Sequence, residues 1–485
     1  MRKMIILLLA SFMVLTTACS SSETKAPGSS AQASTEQGPV TISIVGKDLP
    51  PDARVIKGIE EGMKAEGKNI KLEVVPVQSG TYSEKLGLLL QSGNIPDLIY
   101  FQGGDYPFAI TQQILEDLTP YIEQSTGVKA AMNSFNEERI KNYPYLVWLS
   151  PTNSQIPVMR QDWFDKTESG KELLANPTTY NYYNFFKEVK EKNGAQFAYT
   201  TAGSLEELDV MFGQAFGLTS TWIKGADGKY VFGKTSSFEK EKLEFYAKLY
   251  REGLLDSEFL TKKWDTKEKA FYDGQAAIIA GTQGKVIDLY NNKSISQNGA
   301  SATVMPLPPA QGKAQGYTPI DVSKESRGFA ISKLSENKEL AFAVLEYLAS
   351  PKGQMLDKLG FEGEEYEIVN NQIKLTEKFA EWYPIFVAST VNFKPDQAFD
   401  PATPYLSEPA IKSLEMIDSM SGKDNGFIIP AELAGKWDAC NELYREFAAN
   451  MVMGNKTSAD FDAFVQAWSD AGGKEITDYA NQTIK

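Results

Sequence analysis

The chain has 485 residues, of which 42% are hydrophobic and 23% charged, and its formal net charge is −14 at pH 7. This composition is typical of a globular protein, and the acidic balance argues against a nucleic-acid partner, because phosphate contacts require a clustered basic surface. The sequence has no histidine, which excludes Ser-His-Asp and Cys-His nucleophile systems and histidine-ligated zinc or iron sites.

The N-terminus has the pattern of an export signal. A short basic stretch, Arg2-Lys3, precedes an uncharged apolar run over residues 4–15. This run is shorter than the about 20 residues that a membrane-spanning helix needs, so we predict a signal peptide over residues 1–18. The run is followed by Thr16-Thr-Ala-Cys19, which resembles the bacterial lipobox except that the usual leucine stands one place early. We predict that Cys19 is acylated; a plain secretory peptide with an incidental cysteine is the alternative.

The next segment is predicted to be a flexible tether, over residues 19–39. It is rich in Ser, Thr, Ala, Gly and Gln and cannot bury enough apolar surface to offset the entropy cost of ordering. The rest of the chain is long for one hydrophobic core and favours two lobes. Besides Cys19 the sequence contains only Cys440, so the mature chain can form no internal disulfide.

The first part of the folded region alternates between strand and helix patterns. Strand patterns occur at 40–45, 70–77 and 96–101, and helical spacing of apolar residues occurs at 52–66 and 82–91. This β-α-β-α-β order predicts an α/β fold with a mainly parallel sheet covered by helices. Ligands of such sheets bind beyond the carboxyl ends of the strands.

Later segments are mixed. We predict a strand at 158–163, a helix after Pro177-Thr-Thr179, a hairpin at Ala226-Asp-Gly228, an amphipathic helix at 336–349, a further helix that begins at the Ser350-Pro351 cap, and helices over 430–485. The Pro- and Gly-rich residues 304–317 are typical of a crossing between lobes.

Several short motifs point to one family. Their order along the chain is Ser92-Gly-Asn-Ile-Pro-Asp-Leu-Ile99, Arg160-Gln-Asp-Trp163, Pro177-Thr-Thr179, Phe271-Tyr-Asp-Gly-Gln-Ala-Ala277, Pro306-Leu-Pro-Pro309, Ser335-Glu-Asn-Lys-Glu-Leu-Ala341, Ser350-Pro-Lys-Gly-Gln354 and Phe361-Glu-Gly-Glu-Glu-Tyr366. Each motif alone is weak, but together they resemble the family 1 extracellular solute-binding proteins, the group that contains maltodextrin-binding protein, and in particular its longer Gram-positive lipoprotein branch.

The resemblance implies a type II periplasmic-binding-protein fold with a ligand cleft between two hinged lobes. Lobe 1 would comprise residues 40–148 and 318–355, and lobe 2 residues 155–305 and 365–485, with crossings at 149–154, 306–317 and 356–364. Family members are receptors for ABC importers rather than enzymes and need no cofactor. We therefore expect a monomer that captures an oligosaccharide outside the cell, delivers it to permease subunits, and contacts the membrane only through its lipid anchor. The source would be a Gram-positive-type bacterium.

A sugar site needs aromatic planes for stacking and polar groups for the hydroxyls. By position after strands, near the crossings or in loops that relatives use, the predicted ligand-binding residues are Lys47, Asp48, Tyr82, Asp105, Tyr106, Trp148, Ser204, Gln283, Trp382 and Tyr383. Glu206 is a weaker candidate beside Ser204. Arg160 and Asp162 are interpreted as structural, and Trp437 as more consistent with the core than with the cleft wall. Some longer relatives carry a calcium loop, but residues 190–195 offer too few oxygen donors here, so we expect no metal.

Alternative functions stay open at this point. A uronate-containing ligand would require a cationic pocket, for which Lys47, Arg160 and Lys285 are candidates. The ligand could instead be a peptide or a siderophore, or the protein could present its ligand to a sensor kinase. A glycosidase or lyase that uses two carboxylates needs no histidine, although nothing in the sequence marks such a pair.

Overall fold

The computed structural model describes residues 38–77, 82–102, 113–132, 136–137, 140–141, 144–147, 155–282, 284–319, 321, 327–386, 393 and 395–484. The predicted signal peptide, Cys19 and nearly all of the predicted tether lie outside these residues. From Val40 onward the chain forms one structural unit. None of the helices in the described part is both long and apolar enough to cross a membrane.

The first sheet contains four strands, β1 (Val40–Val45), β2 (Ile70–Val74), β3 (Leu98–Gln102) and β10 (Arg327–Ile331). Their order across the sheet is β10-β3-β1-β2. β1 pairs in parallel with β2 and β3, which confirms the predicted β-α-β-α-β unit. β10 comes from far along the chain and joins the edge antiparallel to β3.

The second sheet also has four strands, β4 (Gln155–Arg160), β5 (Phe197–Tyr199), β8 (Ala276–Thr282) and β9 (Val304–Pro306). Their order is β5-β8-β4-β9. β5 and β8 are parallel, whereas β4 runs antiparallel to both β8 and β9. The predicted strand at 158–163 begins earlier and ends at Arg160, because the following residues form a helical turn that buries Trp163.

The remaining strands form two smaller sheets. β6 (Trp222–Lys224) and β7 (Tyr230–Phe232) form an antiparallel hairpin. Gly228 adopts a positive φ of 78° in its turn, which confirms the hairpin predicted from Ala226-Asp-Gly228. The other small sheet joins β11 (Tyr366–Val369), β12 (Gln372–Leu375) and β13 (Ala398–Phe399).

The bounds of seventeen α-helices lie within the described residues. They are α1 (Arg54–Ala65), α2 (Tyr82–Gln91), α3 (Thr119–Gln124), α4 (Gly127–Ala131), α5 (Gln161–Phe164), α6 (Ser169–Ala175), α7 (Thr179–Asn193), α8 (Glu206–Phe212), α9 (Ser237–Arg251), α10 (Trp264–Tyr272), α11 (Lys285–Asn298), α12 (Lys338–Ala349), α13 (Pro351–Leu359), α14 (Glu408–Met420), α15 (Ala434–Val452), α16 (Phe461–Trp468) and α17 (Lys474–Thr483). The predicted Ser350 cap is confirmed, since its hydroxyl accepts a hydrogen bond from the Gly353 backbone N–H.

Each of the two main sheets is packed into its own hydrophobic cluster. The first sheet packs against α1 and α12, and one face of the second sheet packs with α7, α9 and the C-terminal helices. Trp437 lies in the second-sheet cluster, stacked on Trp222 and buried to 1% exposure, so its assignment to the core is confirmed. The lobe boundaries stay a prediction; Phe386, from the stretch predicted for lobe 2, packs in the first-sheet cluster.

Candidate functional site

A cavity of about 1340 Å³ opens where strands of both main sheets end. Lys47 follows β1, and Gln102 and Thr282 are the last residues of β3 and β8. Gln155 and Arg327 begin β4 and β10, which run antiparallel, so they pair with Thr282 and Gln102 at the same edges. The cavity therefore joins the carboxyl edges of the two sheets, where α/β folds place their ligands.

An indole from α10 lines one wall of the cavity. Trp264 is 39% exposed, and its Nε1–H donates a hydrogen bond to Glu268 Oε1 at 2.6 Å. The Lys267 ammonium lies 3.4 Å from the centre of the indole ring. Because two neighbours on its own helix hold this ring, it forms a pre-oriented aromatic surface of the kind that stacks on sugars. Tyr272 and Tyr290 line the same part of the cavity.

A buried ion pair lies beside this indole. Lys267 is fully buried, and its ammonium donates to Glu207 Oε1 and to the Ala280 carbonyl, both at 2.9 Å. Burial raises the pKa of Glu207 and lowers the pKa of Lys267, although each charge favours the other. Desolvation thus opposes ionisation of both groups, and the pair stays charged only because of its short hydrogen bonds.

A second buried network lies between α8, α9 and α15, and its residues Asp209, Lys242 and Tyr444 belong to the described lining. Lys242 is 2.6 Å from Asp209 Oδ1 and 2.9 Å from Glu239 Oε2. The Tyr246 hydroxyl donates to Asp209 Oδ1 at 2.9 Å, and the Tyr444 hydroxyl donates to Glu239 Oε1 at 2.7 Å. Burial raises the pKa of Glu239; it opposes charge on Lys242 as well, but the two carboxylates raise the Lys242 pKa overall. The network holds two carboxylates around one ammonium.

The cavity lining is more basic than the chain as a whole. Its charged side chains are the basic Lys47, Lys234, Lys242, Lys293, Arg327 and Arg445 and the acidic Glu206, Asp209, Glu268 and Asp321. Among the described lining residues, six are basic and four are acidic, although Lys242 is paired with Asp209 and Glu239, in a chain whose net charge is −14. The ammonium of half-buried Lys234 lies 4.6 Å from the Tyr444 ring centre and makes no ion pair with a described residue. The lining therefore favours ligands that carry negative charge or many hydroxyls.

Two predicted ligand residues, Lys47 and Tyr383, line the cavity, and so does the further candidate Glu206. Tyr383 shares the described lining with Lys47 from the loop after β1 and with Glu268 from α10. Burial, and then the negative charges of Asp48, Asp357 and Glu268, raise the pKa of its hydroxyl. Asp48 itself is outside the described part of the lining.

Three other predicted ligand residues have partners within the protein and are outside the described lining. The Tyr82 hydroxyl donates to the Tyr100 carbonyl at 2.6 Å. The Trp382 indole N–H donates to the Asp357 carbonyl at 2.8 Å. Ser204 Oγ accepts a hydrogen bond from the Glu206 backbone N–H at 3.3 Å.

The remaining predicted ligand residues, Asp105, Tyr106, Trp148 and Gln283, lie outside the described residues.

Of the proposed cationic residues, Arg160 is paired with Asp162 at 2.7 Å and Lys285 with Asp288 at 3.1 Å. Neither belongs to the described lining. Among the described residues, no group of three or more Asp, Glu, Cys or His is placed to hold a metal ion.

Sequence reasoning missed most of the described lining, including Trp264, Asp209 and Lys234. A signal existed for Asp209, which interrupts the apolar run of α8 and is 9% exposed. Trp264 opens a polar helix as an exposed aromatic, which was a weaker signal. Nothing in the local pattern distinguished Lys234 from other lysines, because its place in the cavity depends on α15 packing beside it.

Residues 47–355 match the family model described as bacterial extracellular solute-binding protein. The polygalacturonan/rhamnogalacturonan-binding protein YtcQ of Bacillus subtilis (strain 168) is 20% identical over 473 residues, which covers 92% of this chain and 90% of the relative. Lipoprotein LipO of the same organism is 21% identical, covering 98% of this chain and 96% of the relative. The crystal structure of alginate-binding protein AlgQ2 without calcium ion matches with a TM-score of 0.70 at 16% identity, covering 92% of this chain and 98% of the other. The chain therefore has the two-lobe α/β fold of binding proteins.

Proposed function

The chain belongs to the bacterial extracellular solute-binding protein family, and from this premise we propose that it captures an oligosaccharide and delivers it to the permease of an ABC importer. The observation that carries this proposal is the cavity at the carboxyl edges of both sheets. A ligand held there touches both sheets at once, so that binding favours a closed arrangement of the two predicted lobes. The family and its relatives are binding proteins and not enzymes.

The size and lining of the cavity support an oligosaccharide. Its volume of about 1340 Å³ exceeds the roughly 300–1,000 Å³ of sites for drug-sized molecules, which leaves room for several sugar units. Trp264 and Tyr383 offer aromatic surfaces for the apolar faces of sugar rings. Asp209, Gln102 and Gln155 offer acceptors and donors for hydroxyl groups.

Within this class we propose that the ligand contains acidic sugar units. Basic side chains outnumber acidic ones in the lining, and Lys47, Lys234 and Lys293 make no ion pair with a described residue. Arg160 and Lys285, two of the cations first considered, are ion-paired elsewhere, so the charge would come from these three lysines. The names of YtcQ and AlgQ2 refer to acidic polysaccharides, which supports the same class.

The anchoring and delivery parts of the proposal rest on the N-terminal sequence and on the family. We propose that residues 1–18 are removed, that Cys19 is lipidated, and that residues 19–39 tether a monomer to the outer face of the cell membrane. The lipoprotein name of the relative LipO supports this arrangement. Growth in labelled palmitate checks it, since Cys19→Ser should abolish labelling and release the protein into the medium.

A thermal-shift series tests the binding role. The purified protein is heated with trigalacturonate, with its carboxyl-reduced neutral form, and with a tripeptide mixture. A ligand at 100 times its Kd stabilises the folded state by about 2.7 kcal/mol, which raises the melting temperature measurably. A shift with trigalacturonate is expected. A shift with the neutral trimer alone removes the acidic class, and a shift with peptides alone removes the oligosaccharide assignment.

A further inference from the structure

The carboxyl group of Asp209 has two oxygens in different situations. Oδ1 is held by Lys242 at 2.6 Å and by the Tyr246 hydroxyl at 2.9 Å. Oδ2 makes no hydrogen bond with a described residue, and the side chain keeps 12% of its surface exposed where it lines the cavity. One oxygen is therefore fixed by the protein while the other remains able to accept a hydrogen bond from a ligand.

The groups that hold Asp209 are unusually buried for charged residues. Lys242 is 1% exposed and Glu239 is fully buried, and Tyr246 and Tyr444 are bonded to the two carboxylates. Such ionic clusters contribute little net stability, because desolvation offsets the attraction between the charges. The cluster places two carboxylates, Asp209 and Glu239, around the one ammonium group of Lys242. The second negative charge adds to the free-energy cost of burial. Stability alone therefore does not account for the arrangement, whereas the fixed orientation of a ligand-binding carboxylate does.

Resting on the proposed function, we propose that Asp209 is the main hydroxyl-binding residue of the second-sheet side of the cavity and that it takes an uncharged, hydroxyl-bearing part of the oligosaccharide. A carboxylate accepts short, charge-assisted hydrogen bonds from hydroxyl groups. It repels a carboxylate of the ligand, which would instead be placed near Lys47 or Lys293. Lys234, on the face of the Tyr444 ring, supplies donors to the oxygens of the same sugar unit.

The test compares variants of the full chain in mild detergent by calorimetry, with trigalacturonate and its carboxyl-reduced neutral form as probes. Asp209→Asn keeps the shape of the side chain and removes its charge. It is expected to weaken the binding of both probes about tenfold or more, as the loss of a hydrogen bond to a charged group does. Glu188→Gln is the matched control, because Glu188 is a carboxylate that accepts hydrogen bonds from the backbone N–H groups of Glu168 and Ser169, outside both this network and the described lining. It is expected to lower the melting temperature and to leave both affinities within about threefold.

The outcomes separate this inference from the function on which it rests. If the wild-type protein binds neither probe, the oligosaccharide assignment fails. If the wild type binds and Asp209→Asn binds with the same Kd, the role of Asp209 is overturned. Should Asp209→Asn not fold, hydrogen exchange of the wild type decides: ligand is expected to protect residues 205–213, and unchanged exchange there overturns the proposal.

Discussion

The ammonium of Lys267 lies 3.4 Å from the centre of the Trp264 indole ring. This contact and the hydrogen bond from Trp264 to Glu268 fix an aromatic surface at the cavity wall before any ligand arrives. We predict that Trp264→Ala weakens oligosaccharide binding about tenfold or more, because the loss of a stacking aromatic ring costs on the order of 1 kcal/mol beyond the lost apolar area. Trp264→Phe should retain most of the affinity. Calorimetric titration measures both variants.

Trp382 provides a matched control for this prediction. Its indole N–H is bonded to the Asp357 carbonyl, and its ring packs beside Phe361. Trp382→Phe should therefore lower the melting temperature without a change in Kd. If Trp382→Phe weakened binding more than Trp264→Ala, the aromatic surface would have to be assigned to the other tryptophan.

The buried pair of Lys267 and Glu207 leads to a stability prediction. Lys267→Met leaves Glu207 buried without its cation, and breaking one partner of such a pair costs about 3–5 kcal/mol. The double variant Lys267→Met with Glu207→Gln should recover much of this loss, because neither charge then remains unpaired. Urea unfolding of the single and double variants measures the coupling. Equal stability of the two variants would mean that Glu207 takes up a proton once its cation is removed, in the direction in which burial raises its pKa.

The first sheet could be predicted from the sequence because the residue pattern that marks each of these strands and helices lies within one short segment. The alternation of Val40–Val45, the helical spacing of α1 and the apolar run of β3 each belong to one short segment. The pairing of β10 with β3 is different, since Arg327 and Gln102 are distant in sequence. The apolar stretch Gly328-Phe-Ala-Ile-Ser332 has a strand pattern, but its partner and direction depend on tertiary packing.

The site was harder to predict than the fold. The rule that ligands bind at the carboxyl edge of a parallel sheet led to Lys47, which does line the cavity. The chain has 26 Phe, 22 Tyr and 7 Trp residues, however, and spacing alone does not show which of them reach a cavity formed by two sheets. The position of Trp382 in the sequence predicts ligand contact, yet its indole N–H is bonded to a backbone carbonyl, whereas the sequence gives only a weak signal for Trp264.

Glu346 leads to a prediction about pH. Burial opposes its ionisation, but hydrogen bonds from the Ser125 hydroxyl and from the backbone N–H groups of Gly127, Val128 and Thr126 lower its pKa to about 2. Because this pKa lies below that of the unfolded chain, the stabilisation is present at neutral pH and is lost as the pH falls from about 4.5 toward 2. Glu346→Gln should cost about 1–2 kcal/mol at pH 7, after allowance for solvent screening, and less than half of that at pH 3.

Denaturant unfolding at the two pH values measures this difference. Glu339→Gln is the control on the same helix, since Glu339 is exposed and lies in the first turn of α12. Its stability difference from the wild type should be small at both pH values. A constant effect of Glu346→Gln from pH 7 to pH 3 would show that the carboxylate charge does not contribute.

Substitution by alanine should have opposite effects on stability at two glycines that lie in helices. A Cβ at Gly353 would lie 1.9 Å from the Tyr347 carbonyl oxygen, so α12 and α13 could not keep their present packing. We predict that Gly353→Ala destabilises the fold by about 1–3 kcal/mol. Gly435 in α15 has open space around the same position, and Gly435→Ala should be neutral or stabilise by up to about 1 kcal/mol. Thermal unfolding distinguishes the two, and a stable Gly353→Ala protein would mean that the helix pair adjusts.

Lys47 tests the acidic character of the ligand. It is exposed at the cavity edge and makes no ion pair with a described residue, so its charge is available to a ligand carboxylate. Lys47→Met should weaken trigalacturonate binding by up to about fivefold, as expected for an exposed charge pair, and leave its neutral form unaffected. Lys57→Met makes the same change of charge on α1, where Lys57 faces Glu61, and should change neither affinity. An equal loss of affinity in both variants would mean that the net charge of the protein, and not a local contact of Lys47, attracts the ligand. Added salt should then remove both losses together.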